Sequence, residues 1–160
     1  MAAGKTTAAL EIAASRNWQL VDLDRSIEET SGKTIGQIFA EDGEATFRQL
    51  ERCQLEKALG AGSCARIIAA GGGVVISEEN QRILRQALVI FLDTDFAEIL
   101  QRLRRDQPSR PLVQSLDDDG IRQLWQQRRQ LYMKTSDYVV KDKTELVELI
   151  HKLHEEVKAQ

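Results

Sequence analysis

Short apolar runs alternate with segments of helical periodicity along the chain, and this alternation restricts the fold more than any other feature of the sequence. Four runs predict strands: WQLVDLD at 18–24, ARIIAA at 65–70, ALVIFLD at 87–93 and YVV at 138–140. Strands separated by helices require right-handed crossovers, which produce a parallel sheet covered by helices on both faces. We therefore expect a three-layer α/β/α fold with its ligand site at the carboxyl ends of the strands.

Capping and breaking residues predict where the intervening helices begin and end. Thr34 with Gln37 fits a capping box. Ser77 and Thr144 are the expected N-caps of two later helices, and Asn17 is expected to end the first. Among the predicted helices are those at about 5–16, 78–86, 96–104 and 121–134.

Length, charge and cysteine usage restrict the class of protein. The 160 residues suit a single domain, 1–160, with a sizeable core. A net charge of −3 gives no electrostatic reason to expect nucleic acid or an anionic membrane as a partner. No segment is long and apolar enough to span a bilayer. Cys53 and Cys64 lie in no metal-binding spacing, so we expect reduced thiols in a cytoplasmic chain. Separately, we expect a monomer whose partner is a small molecule.

The stretch AGKTT, at 3–7, contains the second half of a phosphate-binding loop. In the full pattern G-x-x-x-x-G-K-[ST], backbone N–H groups near Gly4 face a phosphate at a helix N-terminus. Lys5 would reach the β- and γ-phosphates, and Thr6 would ligate Mg²⁺. The alternative is a chance match, because a GK[ST] triplet is common.

The first glycine of that pattern would precede Met1, as would the strand that feeds the loop. In this fold the strand lies in the interior of the sheet. Without it, neighbouring strands would have unpaired backbone groups, each costing about 1–3 kcal/mol if buried and unsatisfied. We therefore expect a miscalled start codon or a fragment.

Two acids follow the first predicted strand. If the segment stays extended, Asp22 and Asp24 lie on one face of it, near the phosphate loop. One acid would support hydrated Mg²⁺, and the other would accept a proton from an attacking hydroxyl. The structural alternative is a strand exit whose acids cap the next helix.

Six motifs, taken in order, resemble the shikimate kinase family. They are Gly4-Lys5-Thr6, Asp22-x-Asp24, Gly43-Glu44-x-x-Phe47-Arg48-x-x-Glu51, Gly71-Gly72-Gly73, Arg110-Pro111-Leu112 and Arg128-x-x-Leu131-Tyr132. The resemblance covers Met1 to about Val140. It implies a P-loop kinase fold, normally with a five-stranded parallel sheet whose first strand is missing here, and a lid at about 105–116. It also implies transfer of the γ-phosphoryl group of ATP to the 3-hydroxyl of shikimate, with Mg²⁺, in aromatic amino acid biosynthesis.

The same resemblance implies the substrate-site roles. Arg48 and Arg128 would hold the substrate carboxylate, because a planar guanidinium can bond both of its oxygens. Asp24 would be the base, and Asp22 would reach Mg²⁺ through water. The remaining substrate-site residues are Phe47 as a pocket wall, Glu51, which would orient the arginines, and Gly71, Gly72 and Gly73, whose backbone would approach the substrate.

The nucleotide would be held by the phosphate loop and the lid. Arg110 would neutralise charge on the transferring phosphoryl group as the lid closes and excludes water. Arg105, or its neighbour Arg104, would contact adenine. The full set of implied nucleotide-binding residues is Ala2, Ala3, Gly4, Lys5, Thr6, Thr7, Arg105 and Arg110.

Three positions depart from the commonest family pattern. Ala2 replaces a frequent glycine of the phosphate loop, Ala70 replaces a threonine, and Gln130 replaces a proline. None of these changes removes a group to which chemistry is assigned.

Each of several motifs, considered alone, also has a purely structural explanation. Arg48 with Glu51 also fits an ordinary surface helix pair, the triple glycine a tight turn, and Arg128 a solvated helix face. His151 and His154 share a helix face, but no carboxylate or cysteine accompanies them at metal-binding spacing, so a metal site there is not favoured.

Two other functions remain open. One is a non-catalytic shikimate kinase-like module that binds a ligand and reports it. The other is a gluconate-type kinase on the same fold. Retention of Asp24, Arg48 and Arg128 argues against the first, and the paired arginines with the Arg-Pro-Leu sequence of the lid favour shikimate over gluconate.

Overall fold

Strands and helices alternate in the structure as predicted. The computed structural model describes residues 3–62, 64–105 and 116–158. The elements are, in chain order, α1 (Lys5–Arg16), β1 (Gln19–Asp22), α2 (Leu23–Ser31), α3 (Ile35–Gln37), a π-helical turn (Ile38–Asp42), α4 (Gly43–Gly60), β2 (Arg66–Ala69), α5 (Glu78–Leu84), β3 (Ile90–Leu92), α6 (Phe96–Arg105), α7 (Asp118–Thr135), β4 (Tyr138–Val140) and α8 (Lys143–Lys158). Each predicted apolar run contains one strand.

The strands are parallel, and within the described residues they form two separate pairs. β1 pairs with β2, with Asp22 opposite Ala69. β3 pairs with β4, with Leu92 opposite Val140. The predicted strand direction is therefore confirmed, but β2 and β3 do not hydrogen-bond to each other.

An apolar cavity of about 590 Å³ borders both pairs of strands. Its wall includes Ile68 from β2 and Ile90 and Leu92 from β3, together with Ala3 beside the phosphate loop. Strands of both pairs therefore border one cavity, and the interior strand that the sequence predicts stays a prediction.

Helices cover the strands on both faces, because successive side chains of a strand point in opposite directions. On β3, Phe91 stacks on Tyr132 of α7, whereas its neighbours Ile90 and Leu92 pack with Leu146 and Leu149 of α8. On the α7 side a larger cluster joins α4 and α5 to the strands. The three-layer α/β/α arrangement is thus confirmed. Within the described segments no helix has the length and apolarity needed to cross a bilayer.

Most predicted helix ends are correct because they depend on local hydrogen bonds. Asn17 ends α1 with φ of 54°, and its N–H donates to carbonyls of the last turn. The capping box of Thr34 and Gln37 is present. The predicted cap Thr144 is wrong, since α8 begins at Lys143, two residues before the start that a Thr144 cap predicts, and Asp142 Oδ1 accepts from the backbone N–H of Glu145 at 3.0 Å.

Candidate active site

The phosphate loop leads into α1 through a glycine with two physical constraints. Gly4 has φ of 82°, a left-handed conformation that an L side chain rarely adopts. A Cβ at Gly4 would also lie 3.1 Å from Nη1 of Arg102, so the arginine of α6 reaches the loop. Lys5 is the first residue of α1, where the backbone N–H groups of the first turn are directed at any bound anion.

Thr6 and Asp22, the two predicted metal ligands, lie in contact. The Thr6 hydroxyl donates to Oδ2 of Asp22 at 2.9 Å, joining the first turn of α1 to the end of β1. A hydroxyl and a carboxylate are oxygen ligands of the kind that Mg²⁺ prefers, and this ion usually takes few protein ligands beside water and phosphate. The donor set therefore fits Mg²⁺. Among the described residues no group of three or more His, Cys, Asp or Glu side chains forms a denser metal site.

The prediction that Asp22 and Asp24 share one face of an extended segment is wrong. β1 ends at Asp22, whose Oδ1 accepts from the backbone N–H of Arg25 at 3.3 Å and so caps α2. Asp24 lies in the first turn of α2. Asp22 is thus both a helix cap and a partner of Thr6, because each of its two oxygens accepts one bond. Asp24 faces a different group, the triple glycine.

Two glycines of the triple glycine leave space for functional side chains. A Cβ at Gly71 would lie 2.6 Å from Oδ1 of Asp24, and a Cβ at Gly73 would lie 2.3 Å from Nη1 of Arg48. Real Cβ atoms essentially never approach other atoms so closely. The loop therefore brings the predicted base and a predicted substrate arginine together, which a plain tight turn does not require.

Arg48 is held by two carboxylates of its own helix, α4. Its Nη1 donates to Oε2 of Glu51 at 2.9 Å, and its Nη2 donates to Oε1 of Glu44 at 2.9 Å. The Arg48 side chain is only 17% exposed and Glu51 only 1%, so this is not the solvated surface pair that the sequence left open. Burial raises the pKa of Glu51 above its usual range, and the nearby Asp24 raises it further, whereas Arg48 opposes both effects.

Arg128 is buried in α7, so a solvated helix face is excluded for it as well. Burial lowers the pKa of its guanidinium, and the like charge of Arg48 lowers it further. An arginine nevertheless stays charged in proteins. Its Nε has no hydrogen-bond partner among residues 3–62, 64–105 and 116–158. Arg128 therefore presents a buried cationic group beside Arg48.

Tyr132, one turn beyond Arg128, ties α7 to the triple glycine. Its hydroxyl donates to the carbonyl oxygen of Gly72. Its ring stacks on Phe91 with centroids 4.8 Å apart. Burial raises the pKa of the Tyr132 phenol, so the hydroxyl remains a donor at neutral pH. Tyr132 belongs to one of the six sequence motifs, but the motif alone assigns it no role.

A buried carboxylate fixes α7 from the other side. Asp93 follows β3 and accepts from Nε and Nη2 of Arg129 at 2.8 and 2.7 Å, and from Lys141 Nζ at 2.6 Å. Arg129 and Lys141 lower the pKa of Asp93, despite the opposing effect of burial. Because Arg129 adjoins Arg128, this cluster sets the rotation of α7. The sequence does not predict the cluster, since 36 residues separate Asp93 from Arg129.

Phe47 packs mainly in a small apolar core. It is 5% exposed and contacts Ile27 and Ile38, and its ring lies 4.8 Å from that of Phe39. The guanidinium carbon of Arg48 lies 5.1 Å from the Phe47 ring centroid. The Phe47 ring thus contacts the Arg48 guanidinium and supports it. The role of Phe47 as a pocket wall stays a prediction.

Part of the predicted nucleotide site lies outside the described residues. Ala2 and Arg110 belong to that part, as do residues 106–115 of the predicted lid. Ala3 is buried and its carbonyl accepts from Thr94 Oγ1 at 3.3 Å, while Thr7 is exposed in the first turn of α1. Arg104 forms an ion pair with Asp118 and so joins α6 to α7, and Arg105 ends α6. The adenine contact of Arg105 stays a prediction.

One of the two histidines of α8 packs against an aromatic ring. The ring of His154 makes an edge contact with Trp18, with centroids 5.5 Å apart. The expectation that His151 and His154 do not form a metal site stays a prediction.

Comparisons with known proteins agree with this geometry. A family model described as shikimate kinase matches residues 1–158. A shikimate kinase of Synechococcus elongatus is 44% identical over 133 residues, which are 82% of this chain and 68% of that protein. One of Parasynechococcus marenigrum is 40% identical over 141 residues, 88% of this chain and 73% of that protein.

Solved structures give the same result. The shikimate kinase from Acinetobacter baumannii in complex with shikimate has a TM-score of 0.88 at 31% identity, covering 100% of this chain and 91% of that one. The shikimate kinase from Aquifex aeolicus has a TM-score of 0.77 at 30% identity, covering 100% and 95%. This chain belongs to the shikimate kinase family.

Proposed function

We propose that this protein is a shikimate kinase that transfers the γ-phosphoryl group of ATP to the 3-hydroxyl of shikimate. The observation that carries the proposal is the convergence of Asp24 and Arg48 on the triple glycine. Arg128 lies buried in the same charged cluster. The Thr6–Asp22 contact adjoins Asp24 along the chain. A base, two guanidinium groups and a phosphate loop are the groups that this reaction needs.

Substrate recognition rests on the two buried arginines. Arg48 is oriented by Glu51, and the Nε–H of Arg128 has no partner among the described residues. A carboxylate placed between them would accept charge-assisted hydrogen bonds from both, which are stronger than bonds between neutral groups. Acceptor and donor groups of Asp24 and of the glycine backbone would bind the hydroxyls of shikimate.

Nucleotide binding rests on the N-terminus of α1. Backbone N–H groups from Gly4 onwards and the Lys5 ammonium would bind the phosphates, with Ala3 and Thr7 at the two ends of the loop. Mg²⁺ would be held by Thr6 directly and by Asp22 through water, and when bound it supplies positive charge to the phosphates. Arg110 and Arg105 would contribute from the lid.

The reaction is an in-line displacement that balances with these groups. Oxygen of the 3-hydroxyl forms a bond to the γ-phosphorus, and the bond from that phosphorus to the bridging oxygen of ADP breaks. The hydroxyl proton passes to the Asp24 carboxylate. The chain's contribution is the orientation of the hydroxyl and the neutralisation of phosphate charge, which together supply most of the catalysis in phosphoryl transfer.

We propose that residues 1–160 act as one domain with a lid at about 105–116, as a monomer in the cytoplasm. The free thiols of Cys53 and Cys64 support a reducing compartment.

The test is ADP release in a coupled assay with and without shikimate, together with calorimetric binding of shikimate. We expect ADP release that depends on shikimate. Binding without ADP release would favour a non-catalytic ligand-binding module, and the absence of both in a folded protein would overturn the proposal.

Two substitutions assign the roles. Asp24→Asn and Arg48→Ala are each expected to abolish turnover while ATP binding persists, because neither residue belongs to the phosphate loop. Arg52→Ala is the matched control, since Arg52 lies on the same helix and its contact with Glu79 is exposed and 3.7 Å long. Loss of ATP binding in both site variants would count against the assignment.

A further inference from the structure

Asn80 is a buried polar residue that no step of the proposed reaction uses. It lies in the first turn of α5 and is 0% exposed. Its backbone N–H donates to Ser77 Oγ at 3.4 Å, which fixes the start of the helix. Its side-chain Nδ2 donates to Oε2 of Glu51, a residue of α4, at 3.5 Å.

The placement of Asn80 is not explained by stability. Both Oδ1 of Asn80 and Oε1 of Glu51 are buried without a hydrogen-bond partner in the part of the chain that the structure describes. A buried polar atom without a hydrogen-bond partner destabilises the folded state. An apolar side chain of similar size, such as leucine, would remove the Asn80 contribution to that cost. The amide is therefore best explained by what it does to its neighbour.

We propose that Asn80 is a positioning residue of the substrate site, which holds the Glu51 carboxylate so that Glu51 holds Arg48. This inference rests on the proposed function. Oε2 of Glu51 accepts from Arg48 Nη1 at 2.9 Å and from Asn80 Nδ2 at 3.5 Å, so the two donors meet on one oxygen. Arg48 reaches Glu51 from within α4, and Asn80 reaches it from α5. The amide thus limits the rotation that the arginine alone would permit.

Asn80 also acts on the charge of Glu51. A donor to the ionised carboxylate favours the charged form and opposes the effect of burial on the pKa of Glu51. Charged or titratable groups face Glu51 from three elements: Asp24 of α2, Arg48 of α4, and Arg128 and Tyr132 of α7. The ionised Glu51 carboxylate is the form that orients Arg48. Loss of the Asn80 amide should raise the pKa of Glu51 and so weaken shikimate binding most at low pH.

The main test compares Asn80→Leu with the wild-type protein. We expect the KM for shikimate to rise about fivefold, which corresponds to a net hydrogen bond of about 1 kcal/mol, while the KM for ATP stays within about twofold. The melting temperature should be unchanged or higher. The acid limb of kcat/KM for shikimate should move to higher pH, an effect that a purely structural role would not produce.

Two further variants make the test specific. Asn80→Asp keeps the shape of the side chain but places a second carboxyl group against Glu51. Its KM for shikimate should therefore be high at about pH 8 and should fall towards about pH 6, where the two carboxyl groups share a proton. Asn80→Leu should show the opposite trend. Gln54→Leu is the matched control, because Gln54 is a buried amide on α4 that donates to Thr30 at 3.1 Å instead of to Glu51.

The outcomes separate this inference from the proposed function. An unchanged KM and calorimetric Kd for shikimate in Asn80→Leu, beside an active wild-type protein, would overturn the inference alone. Equal effects of Gln54→Leu and Asn80→Leu on shikimate binding would also overturn it. A folded wild-type protein that neither binds shikimate nor releases ADP would overturn both. If it binds shikimate without turnover, the Kd comparison still decides the role of Asn80.

Discussion

The substitution Gly73→Ala tests the geometry of the substrate site with the addition of one methyl group. The backbone of Gly73 lies outside the left-handed region, so it accepts alanine without dihedral strain. The new Cβ would lie 2.3, 2.7 and 2.8 Å from Nη1, Nη2 and Cζ of Arg48. The clash therefore falls on one side chain and not on the fold.

The size of the effect follows from these distances. Ordinary van der Waals contact begins at 3.4 Å, so the guanidinium must move by about 1 Å. Such a shift breaks the 2.9 Å bond from Arg48 Nη1 to Glu51 and removes the guanidinium from the position in which it would receive the substrate. A hydrogen bond to a charged group is worth about 1.5–3 kcal/mol. The KM for shikimate should therefore rise about 10- to 150-fold.

The assay is ADP release at saturating ATP with shikimate varied, accompanied by thermal unfolding. The KM for ATP should stay within about twofold. The melting temperature should fall, since loss of the Arg48–Glu51 bond, about 1.5–3 kcal/mol, outweighs the about 0.4–1 kcal/mol that Gly→Ala contributes by lowering the entropy of the unfolded chain. Gly60→Ala is the matched control, because a Cβ at Gly60 meets nothing within 4 Å. A folded Gly73→Ala protein with an unchanged KM for shikimate would refute the assignment of Arg48 to the substrate.

Three further substitutions test other contacts. Thr6→Val removes the hydroxyl that donates to Asp22. It should weaken MgATP binding by at least about tenfold and leave metal-free ATP binding nearly unchanged, which calorimetry with and without EDTA would measure. Equal losses of the two affinities would argue against a metal role for Thr6. Asp93→Asn should lower the free energy of unfolding by about 1–3 kcal/mol at pH 7. Because Arg129 lowers the pKa of Asp93, the difference from the wild-type protein should shrink as the pH falls below about 4. Urea titrations in which this difference does not shrink would contradict the ion-pair explanation. Tyr132→Phe keeps the ring stack on Phe91 but loses the hydrogen bond to the glycine loop. It should therefore cost about 1 kcal/mol of stability and raise the KM for shikimate. A KM equal to that of the wild-type protein would show that the loop is positioned without the Tyr132 hydroxyl.

Features set by local hydrogen bonds could be predicted from the sequence. The capping box of Thr34 and Gln37 and the helix end at Asn17 each depend on partners within four residues. Each of the four short apolar runs contains a strand, as their alternation with helical segments predicts. Boundaries are predicted less accurately, as with Thr144, because Asp142 offers the chain an equally good cap and the helix begins two residues earlier than a Thr144 cap predicts.

Asp24 shows that spacing can select a residue for a reason that is partly wrong. Period-two spacing after a strand points to Asp22 and Asp24 as a pair. The structure instead ends the strand at Asp22, because the side chain of that residue caps α2. Asp24 still faces the site, but it does so from a helix and against Gly71. A capping acid and a functional acid are therefore not exclusive alternatives here.

Contacts between distant residues could not be predicted from the spacing of residue types. Asp93 and Arg129 are 36 residues apart, and Tyr132 lies 60 residues from Gly72. With 25 acidic and 22 basic residues in the chain, the number of possible ion pairs is too large for charge alone to select one. The resemblance to a family identifies which residues matter, but the tertiary fold decides which neighbours hold them.

The buried ion pair of Arg48 and Glu51 is better explained by positioning than by stability. Desolvation of two charges offsets most of their mutual attraction, so such a pair contributes little to folding, although loss of one partner leaves a costly buried charge. Glu51 is 1% exposed, has one oxygen without a partner within the described segments and has a raised pKa. A chain selected only for stability would bury an apolar pair here. The pair, the space left at Gly73 and the amide of Asn80 together hold one guanidinium in a single orientation, and a fixed orientation is what binding of a planar carboxylate requires.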